Sequence, residues 1–310
     1  MKLVASSLLF AGVVGLAGCG TPEGDFDRDI TETSDFPLSG CPAAPDGMDA
    51  EAVSATETLN RLRKAAGLEC VSLSPKAAVA AERHCTYYTA NTGVCIAKPH
   101  REVEDCNSFM AETFSDRLRM ATYPGYPRFE VMAYVGNGAT SVQQWLDSVW
   151  HRIPIFSSQV DEAGYGRHDR CDTMDFGARE SVTTTKNLVY PLDGQMNVPH
   201  SFSGRESPEP PPPPQGWPSG YPITVYAAGF TDITEHSIAV DGGTGTLPHT
   251  WLQPGDPRAY GLLVDEFMLY TDLPLEAKTK YRVRIAGTQK DPNDGTKTAP
   301  KTFEWTFTTR

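Results

Sequence analysis

The sequence predicts an α+β domain followed by an all-β sandwich, with a proline-rich linker between them. Three observations predict this arrangement. Apolar residues recur at helical spacing before residue 190, with only short strand-like runs between them; prolines crowd residues 208–214; and apolar and polar residues alternate after residue 220. The lack of regular alternation between strands and helices does not favour a parallel doubly wound sheet.

The charge balance argues against a nucleic-acid partner. The chain has 310 residues, with 27 Lys and Arg against 39 Asp and Glu, and a formal net charge of -12. Binding to phosphates needs a basic surface, which this balance does not supply. The length is sufficient for two domains that each bury a core.

Residues 1–19 are interpreted as a bacterial lipoprotein signal peptide. A lysine follows Met1, an apolar run too short to span a membrane comes next, and small residues lead to Cys19. The sequence Leu16-Ala17-Gly18-Cys19 resembles a lipobox. The resemblance implies cleavage before Cys19, acylation of that cysteine and attachment to a membrane. Gly20 after it favours the outer membrane or cell surface, so we expect a lipid-anchored, extracytoplasmic protein of the cell envelope.

Residues 20–49 are acidic and rich in Gly, Pro, Ser and Thr, which predicts a disordered tether. Beyond Cys19 the chain has an even number of cysteines, all before residue 172. In an exported protein this indicates three disulfide bonds, whose pairing the sequence leaves open. A cysteine metal site is disfavoured because no C-x-x-C pair occurs. The six residues are Cys41, Cys70, Cys85, Cys95, Cys106 and Cys171.

The first domain, residues 50–190, is predicted to hold four helices and a few strands. The helices are expected at residues 50–66, 75–93, 107–120 and 141–151, with Ser74 and Ser141 as N-caps. Pro154 indicates that the fourth helix ends near His151. The strands are expected at residues 129–134, 162–166, 175–177 and 187–190. Taken alone, His151 is best interpreted as a cap for the carbonyl groups at its helix end.

Residues 191–219 are predicted to be a Pro-rich linker, partly in the stiff polyproline II conformation. Residues 220–310 alternate with strand period between Gly, Pro, Asn and Asp turns. This pattern resembles the Ig-like β-sandwich domains of bacterial surface proteins. His236 and His249 are interpreted as isolated surface residues in this second domain.

A set of ordered motifs in residues 51–190 resembles the bacterial branch of the CAP superfamily, also called SCP/PR-1-like. Its most specific element is the sequence Trp145-x-x-Ser148-x-x-His151-Arg152. The other elements are Asn60-x-x-Arg63, Ser74-Pro75 before an Ala-rich helix, Lys98-Pro99-His100, Phe129-Glu130-Val131-Met132-Ala133 and Ala163-Gly164-Tyr165-Gly166. Val131 stands where the family usually has Asn.

The resemblance implies an α-β-α sandwich with a cleft in which His100, Glu130 and His151 converge. Trp145, Ser148 and Arg152 would frame this cleft. Two imidazoles and one carboxylate are ligands that Zn²⁺ or another divalent metal accepts, and the same groups could carry out acid-base chemistry. No clear second family glutamate is found, and the nearby substitutes are Glu102, Glu104 and Asp105.

The resemblance leaves three functions open. The first is a binding or interaction module for a lipid, sterol, peptide or cell-wall ligand, and this is the function we expect because the residue set is incomplete. The second is a metal-assisted or acid-base hydrolase, in which Ser141, Ser148 or a water would have to meet His151. The third is an adhesion or structural surface protein.

Overall fold

The computed structural model describes residues 37–95, 98–180, 186–259, 262, 265–291 and 294–310. The predicted signal peptide, its lipidation site Cys19 and residues 20–36 of the predicted tether lie outside this part of the chain. Within the described residues, helices long and apolar enough to cross a membrane are not found.

The first half is built on a four-stranded sheet with the order β1-β3-β4-β2. The central strand β4 is buried along its whole length, and β1 pairs parallel with β3 while the other neighbours are antiparallel. The strands are β1 Ser72–Leu73, β2 Tyr126–Ala133, β3 Glu162–His168 and β4 Cys171–Ala178. The helices are α1 Ala50–Ala65, α2 Pro75–Asn91, α3 Phe114–Met120, α4 Gly138–Leu146 and α5 Arg152–Phe156.

The sheet lies between two helical layers. Helices α2 and α3 cover one face, and α1 and α4 cover the other. Two glycines of β3 allow α2 to approach the sheet closely: a Cβ on Gly164 would lie 2.1 Å from the backbone nitrogen of Ala78, and one on Gly166 would lie 2.1 Å from that of Glu82. The predicted α+β class of this half is confirmed.

Two predicted helices have other bounds in the structure, and a polar N-cap determines where each of them begins. Thr113 accepts a hydrogen bond from the backbone of Asp116, so α3 begins at Phe114 rather than near residue 107. Asn137, not Ser141, caps α4. Helix α4 ends at Leu146, and His151 therefore lies in the turn before α5 rather than at the end of a long helix.

The prediction of three disulfide bonds is confirmed, and the structure assigns their pairing. The pairs are Cys41–Cys70, Cys85–Cys171 and Cys95–Cys106. The Cys85–Cys171 bond joins α2 to the start of β4 in a buried cluster with Met132. It therefore fixes one helical layer to the sheet.

The second half has two four-stranded sheets, with the orders β5-β7-β10-β9 and β6-β12-β11-β8. All neighbours pair antiparallel except β6 and β12. Both sheets contribute side chains to one hydrophobic core. The strands are β5 Leu188–Tyr190, β6 Gln195–Val198, β7 Ile223–Tyr226, β8 Phe230–Val240, β9 His249–Leu252, β10 Glu266–Thr271, β11 Lys280–Lys290 and β12 Thr298–Thr309.

The second half begins earlier in the chain than its sequence pattern indicates. Residues 187–190 were expected to complete the first sheet, but β5 pairs with β7, and β6 lies inside the predicted linker and pairs with β12. Tyr190 is buried against Phe156, with 4.8 Å between ring centroids. Residues 191–219 therefore pack against the folded parts of the chain instead of forming a free spacer.

Arg152 joins the two halves. Its guanidinium lies 4.7 Å from the ring centroids of both Tyr190 and Tyr221, and the residue is fully buried. Its Nε donates to the carbonyl of Leu146 at 2.6 Å, and an Nη donates to the carbonyl of Pro222. A cation between two aromatic faces, with backbone acceptors on each side, stabilises a closed interface.

His236 and His249 are not isolated, and this interpretation was wrong. The Nδ1 of His236 lies 2.8 Å from Nε2 of His249, and Trp251 stacks on His236 with 4.6 Å between centroids. The two histidines come from β8 and β9, which belong to different sheets. The two strands follow one another in the chain but are edge strands of different sheets, and the packing of the sheets brings their histidines together.

Candidate functional site

Two adjoining cavities at the edge of the first half share His100, His151 and Ser207 in their walls. One has a volume of about 120 Å³ and is also lined by Trp145, Ser148 and Glu206. The other, of about 300 Å³, has a mainly apolar wall: Phe114, Phe129, Val131, Trp150, Ile153 and Pro154. The structure thus brings His100 and His151 to the same cleft, as the family resemblance implies.

His100 lies in the loop after α2 and is held by Glu130 on β2. Its Nδ1 is 2.9 Å from Oε1 of Glu130. The imidazole is 34% exposed, whereas the Glu130 side chain is 2% exposed. The other carboxylate oxygen of Glu130 accepts a hydrogen bond from the guanidinium of Arg117. Glu130 therefore orients His100 from beneath and keeps its second ring nitrogen available.

A second histidine and a second glutamate lie deeper. Nδ1 of His84 is 2.9 Å from Oε1 of Glu102, and its Nε2 is 2.9 Å from the carbonyl oxygen of Pro99. Both ring nitrogens thus face oxygen atoms, one of a carboxyl group and one of a backbone carbonyl. Glu102 also accepts hydrogen bonds from the backbone of Met110 at 2.7 Å and Ala111 at 3.2 Å. Glu102 is therefore a buried support beneath the cleft and does not line it.

These charges set the ionisation of Glu130. Burial alone would raise the pKa of Glu130, but the neighbouring positive charges of His84 and Arg117, with the hydrogen bond from His100, lower it well below its ordinary value. Glu130 is consequently a carboxylate at neutral pH. A carboxylate accepts from Nδ1–H of His100, so a neutral His100 has its lone pair on Nε2.

His151 is held in the same way by a residue from the predicted linker. Its Nδ1 lies 2.7 Å from Oε1 of Glu206, whose side chain is fully buried. His151 itself is 15% exposed. The two cleft histidines thus each have a buried carboxylate on Nδ1, one from the sheet and one from the segment after β6.

The residues expected to frame the cleft have different tasks. Trp145 donates from Nε1 to the carbonyl of Met132 at 2.8 Å, which ties α4 to β2. Ser148 lines the smaller cavity, but its hydroxyl donates to the carbonyl of Trp145 at 2.8 Å. Arg152 forms the contact between the halves described above and does not line either cavity.

Neither serine considered as a nucleophile meets His151. The hydroxyl of Ser148 is engaged with the Trp145 carbonyl, and Ser141 is fully buried in α4 with no hydrogen-bond partner for its Oγ. A serine nucleophile needs its hydroxyl within hydrogen-bond reach of the base. The described geometry supports binding better than serine-based hydrolysis.

The donor set fits a divalent metal only in part. Among the described residues, no three His, Cys, Asp or Glu side chains form a group able to hold a metal ion. Glu130 does not fit as a ligand, because both of its oxygens accept hydrogen bonds from His100 and Arg117. His100 and His151 each have a carboxylate beside Nδ1, an arrangement that is common for imidazoles that bind metals.

Sequence reasoning missed His84, Arg117 and Glu206. His84 had a usable signal, since it lies on the same side of α2 as the buried small residues Ala77, Ala80 and Ala81. A polar residue on a buried helix face needs a partner. Glu206 had no such signal, because it lies in a polar, proline-rich stretch far along the chain.

Comparisons with known proteins found similarities in the first half of the chain. Residues 56–181 match the model of CAP, the cysteine-rich secretory protein family. An extracellular protein with an SCP domain from Bacillus anthracis str. Ames is 22% identical, covering 44% of each chain with a TM-score of 0.37. A cysteine-rich secretory protein from Staphylococcus aureus subsp. aureus Mu50 is 20% identical, covering 44% of this chain and 40% of that one with a TM-score of 0.31.

The match thus spans less than half of either solved chain. No curated protein matches this sequence. The residues that match the family model lie within the range 50–190 that the sequence motifs indicate.

Proposed function

We propose that this chain, with its CAP domain at residues 56–181, is an extracytoplasmic binding module whose ligand contacts His100 and His151 in the cleft. One observation carries the proposal. Each imidazole is fixed through Nδ1 by a buried carboxylate, at 2.9 Å for Glu130 and 2.7 Å for Glu206. Fixed imidazoles present Nε2 in a defined direction, and a fixed direction reduces the entropy cost of binding.

These groups favour a divalent cation such as Zn²⁺ as the ligand, or a larger ligand that binds through such a cation. Neutral imidazole nitrogens are among the preferred ligands of zinc, and carboxylates on the opposite nitrogen strengthen such sites. A bound cation would supply an electrophilic centre for further ligand groups. His100 and His151 would hold it, while Glu130 and Glu206 would orient them. A lipid, sterol, peptide or cell-wall fragment remains our expectation for the larger ligand.

Zinc titration by calorimetry tests this proposal. The full chain with Cys19→Ser is compared with His100→Ala and His151→Ala in the same background. The exposed His168 provides a matched control, His168→Ala. We expect one binding event that weakens by about 10-fold or more in both cleft variants and is unchanged in the control. Absence of binding in the parent chain, or undiminished binding in both cleft variants, would contradict the proposal.

We also propose that the protein is exported and lipid-anchored to the cell envelope. The support is the lipobox-like sequence ending at Cys19 and the presence of three disulfide bonds, which persist in oxidising compartments. Expression of the full chain in a Gram-negative host tests it. The parent should partition with membranes and need detergent for extraction, whereas Cys19→Ser should be released as soluble protein. An unchanged distribution between membrane and soluble fractions would contradict lipid anchoring through Cys19.

We infer an Ig-like sandwich for residues 220–310, to which β5 and β6 each add one strand from the preceding segment. Two four-stranded, mainly antiparallel sheets that share one core support this assignment. Strand pairings in a crystal structure that differ from these would contradict it.

A further inference from the structure

The segment that supplies Glu206 is a loop attached firmly to the second half. Phe202 and Ser219 form an antiparallel bridge at its base, with both backbone hydrogen bonds at 3.0 Å. Trp217 packs inside the loop against Phe202 and Tyr270, at centroid distances of 5.4 and 5.8 Å. We call residues 202–219 the cleft loop.

The cleft loop requires a glycine where it turns toward the first half. Gly204 has a φ of +76°, and a Cβ there would lie 2.3 Å from the Trp217 ring. A side chain at this position would therefore be strained and would also collide with the ring. The turn carries the chain directly to Glu206.

Glu206 enters the turn between α4 and α5. Its Oε1 accepts hydrogen bonds from the backbone N–H groups of Trp150 at 2.7 Å and His151 at 2.9 Å, and its Oε2 accepts from Val149 at 2.8 Å. Three consecutive N–H groups thus receive their partners from another part of the chain. The ring Nδ1 of His151 lies 2.7 Å from the same Oε1, as an ion-pair contact beside the three hydrogen bonds.

The contact between the His151 ring and Glu206 is not needed to satisfy the backbone N–H groups of the turn. Three backbone hydrogen bonds would suffice to satisfy the turn, whereas the contact of Nδ1 with a carboxylate oxygen favours a proton on Nδ1. Since a carboxylate only accepts, a neutral His151 carries its proton on Nδ1 and presents the Nε2 lone pair. Ser207, the next residue, lines both cavities beside the two histidines.

We propose that Glu206 is the positioning residue of His151, so that the cleft loop of the second half completes a site that the CAP domain alone leaves incomplete. The role of this contact in ligand binding rests on the proposed function. The contact itself does not: the carboxylate of Glu206 determines which ring nitrogen of His151 is free. The second half then contributes a residue to the cleft and is not only a spacer.

The test uses the full chain with Cys19→Ser, labelled with ¹⁵N-histidine. Long-range ¹H–¹⁵N spectra at one fixed alkaline pH report the tautomer of each ring, and the His151→Ala spectrum identifies His151. We expect the Nδ1–H tautomer in the parent and a mixture, or the Nε2–H tautomer, in Glu206→Gln. The matched control is Glu209→Gln, because the exposed Glu209 lies in the same loop and accepts from Trp217 Nε1 at 2.8 Å. It should leave the His151 signals unchanged.

Zinc affinity supplies the second measurement. We expect a fall of about 10- to 100-fold in Glu206→Gln, the usual effect of losing a carboxylate behind a ligating histidine, and none in Glu209→Gln. Should Glu206→Gln fail to fold, as judged by near-UV circular dichroism, Glu206→Asp keeps the carboxylate on a shorter stem. It should show an intermediate tautomer ratio.

The two proposals fail differently. A folded Glu206 variant that keeps the parent tautomer of His151 overturns the positioning role, whatever zinc does. Absence of zinc binding in the parent chain, together with the expected change of tautomer in Glu206→Gln, would overturn the metal proposal and leave the positioning role standing.

Discussion

Glu130 and Asp175 are direct partners across the β2–β4 ladder, and both are buried. Glu130 has Arg117 and His100 as hydrogen-bond partners, whereas neither oxygen of Asp175 has one. Burial, and then the neighbouring carboxylate of Glu130, raise the pKa of Asp175 well above its ordinary value of 3.8. The pKa values of the two partners are thus shifted in opposite directions, downward for Glu130 and upward for Asp175.

Asp175→Asn should make the protein more stable relative to the parent as pH rises. The parent group has a raised folded pKa, so its contribution to stability is complete below about pH 4 and is lost as the pH rises. Asn is neutral throughout. The gain in unfolding free energy should grow from near zero at about pH 4 by up to about 1.4 kcal/mol per pH unit.

Urea unfolding at a series of pH values measures this difference. The exposed Asp169 serves as the control, because Asp169→Asn should shift stability by less than about 0.5 kcal/mol at every pH. A stability difference for Asp175→Asn that does not change with pH would show that Asp175 is ionised in the folded protein.

Arg117→Met should destabilise the protein by about 3–5 kcal/mol, the cost of leaving a buried carboxylate without its cation. Arg117 is fully buried, and its guanidinium is paired with Glu130. Denaturant unfolding measures the loss. Arg119→Met, on the same helix but exposed, should cost less than about 1 kcal/mol. Equal effects of the two changes would rule out the buried network as a source of stability.

Arg152→Lys should weaken the contact between the two halves although the charge is kept. An ammonium group cannot stack flat between Tyr190 and Tyr221 or donate in several fixed directions. We expect a loss of about 2–4 kcal/mol in unfolding free energy. Thermal unfolding by calorimetry should then show two transitions in place of one.

The same exchange at the exposed Arg101 is the control, and it should leave the calorimetric profile unchanged. A single, unshifted transition in Arg152→Lys would mean that the halves are held together by other contacts.

The pair His236 and His249 should make the second half sensitive to acid. Nδ1 of His249 donates to the carbonyl of Leu247 at 2.8 Å, so its Nε2 accepts from Nδ1 of His236. Burial, followed by the neighbouring His249, lowers the pKa of His236 below 6.5. The stability that this group contributes is present above about pH 6.5 and is lost as the pH falls through its lowered value.

His236→Phe should reduce the loss of melting temperature between about pH 7 and about pH 5, because an aromatic ring is kept beside Trp251 without a titrating group. The charged group nearby, Asp272, which accepts a hydrogen bond from Thr250, is the same in both proteins and therefore contributes equally. His168→Gln is the control for an exposed histidine. If His236→Phe loses as much as the parent on acidification, the pair is not the acid-sensitive element.

Sequence alone was sufficient where the determinants are local. The α2 cap at Ser74 and Pro75, the periodic apolar face of α1 and the alternating strands of the second half all act over a few residues. His100, Glu130 and His151 could be named only through the family resemblance, since no local spacing joins them.

The rest depended on contacts between distant segments. The acceptor for His151 is 55 residues away, at Glu206. The predicted linker packs because apolar side chains such as Phe202 and Trp217 lie within it, and they meet Tyr270 from a distant strand. Sequence periodicity describes the elements, but it does not say which of them meet.

The most direct test of the cleft is the zinc K-edge absorption spectrum of the full chain with Cys19→Ser, loaded with an equimolar amount of Zn²⁺. We predict two imidazole nitrogen ligands at about 2.0–2.1 Å, and one fewer in each of His100→Ala and His151→Ala. A spectrum without imidazole ligands, or one that is identical in all three proteins, would contradict the assignment of His100 and His151 as a shared binding site.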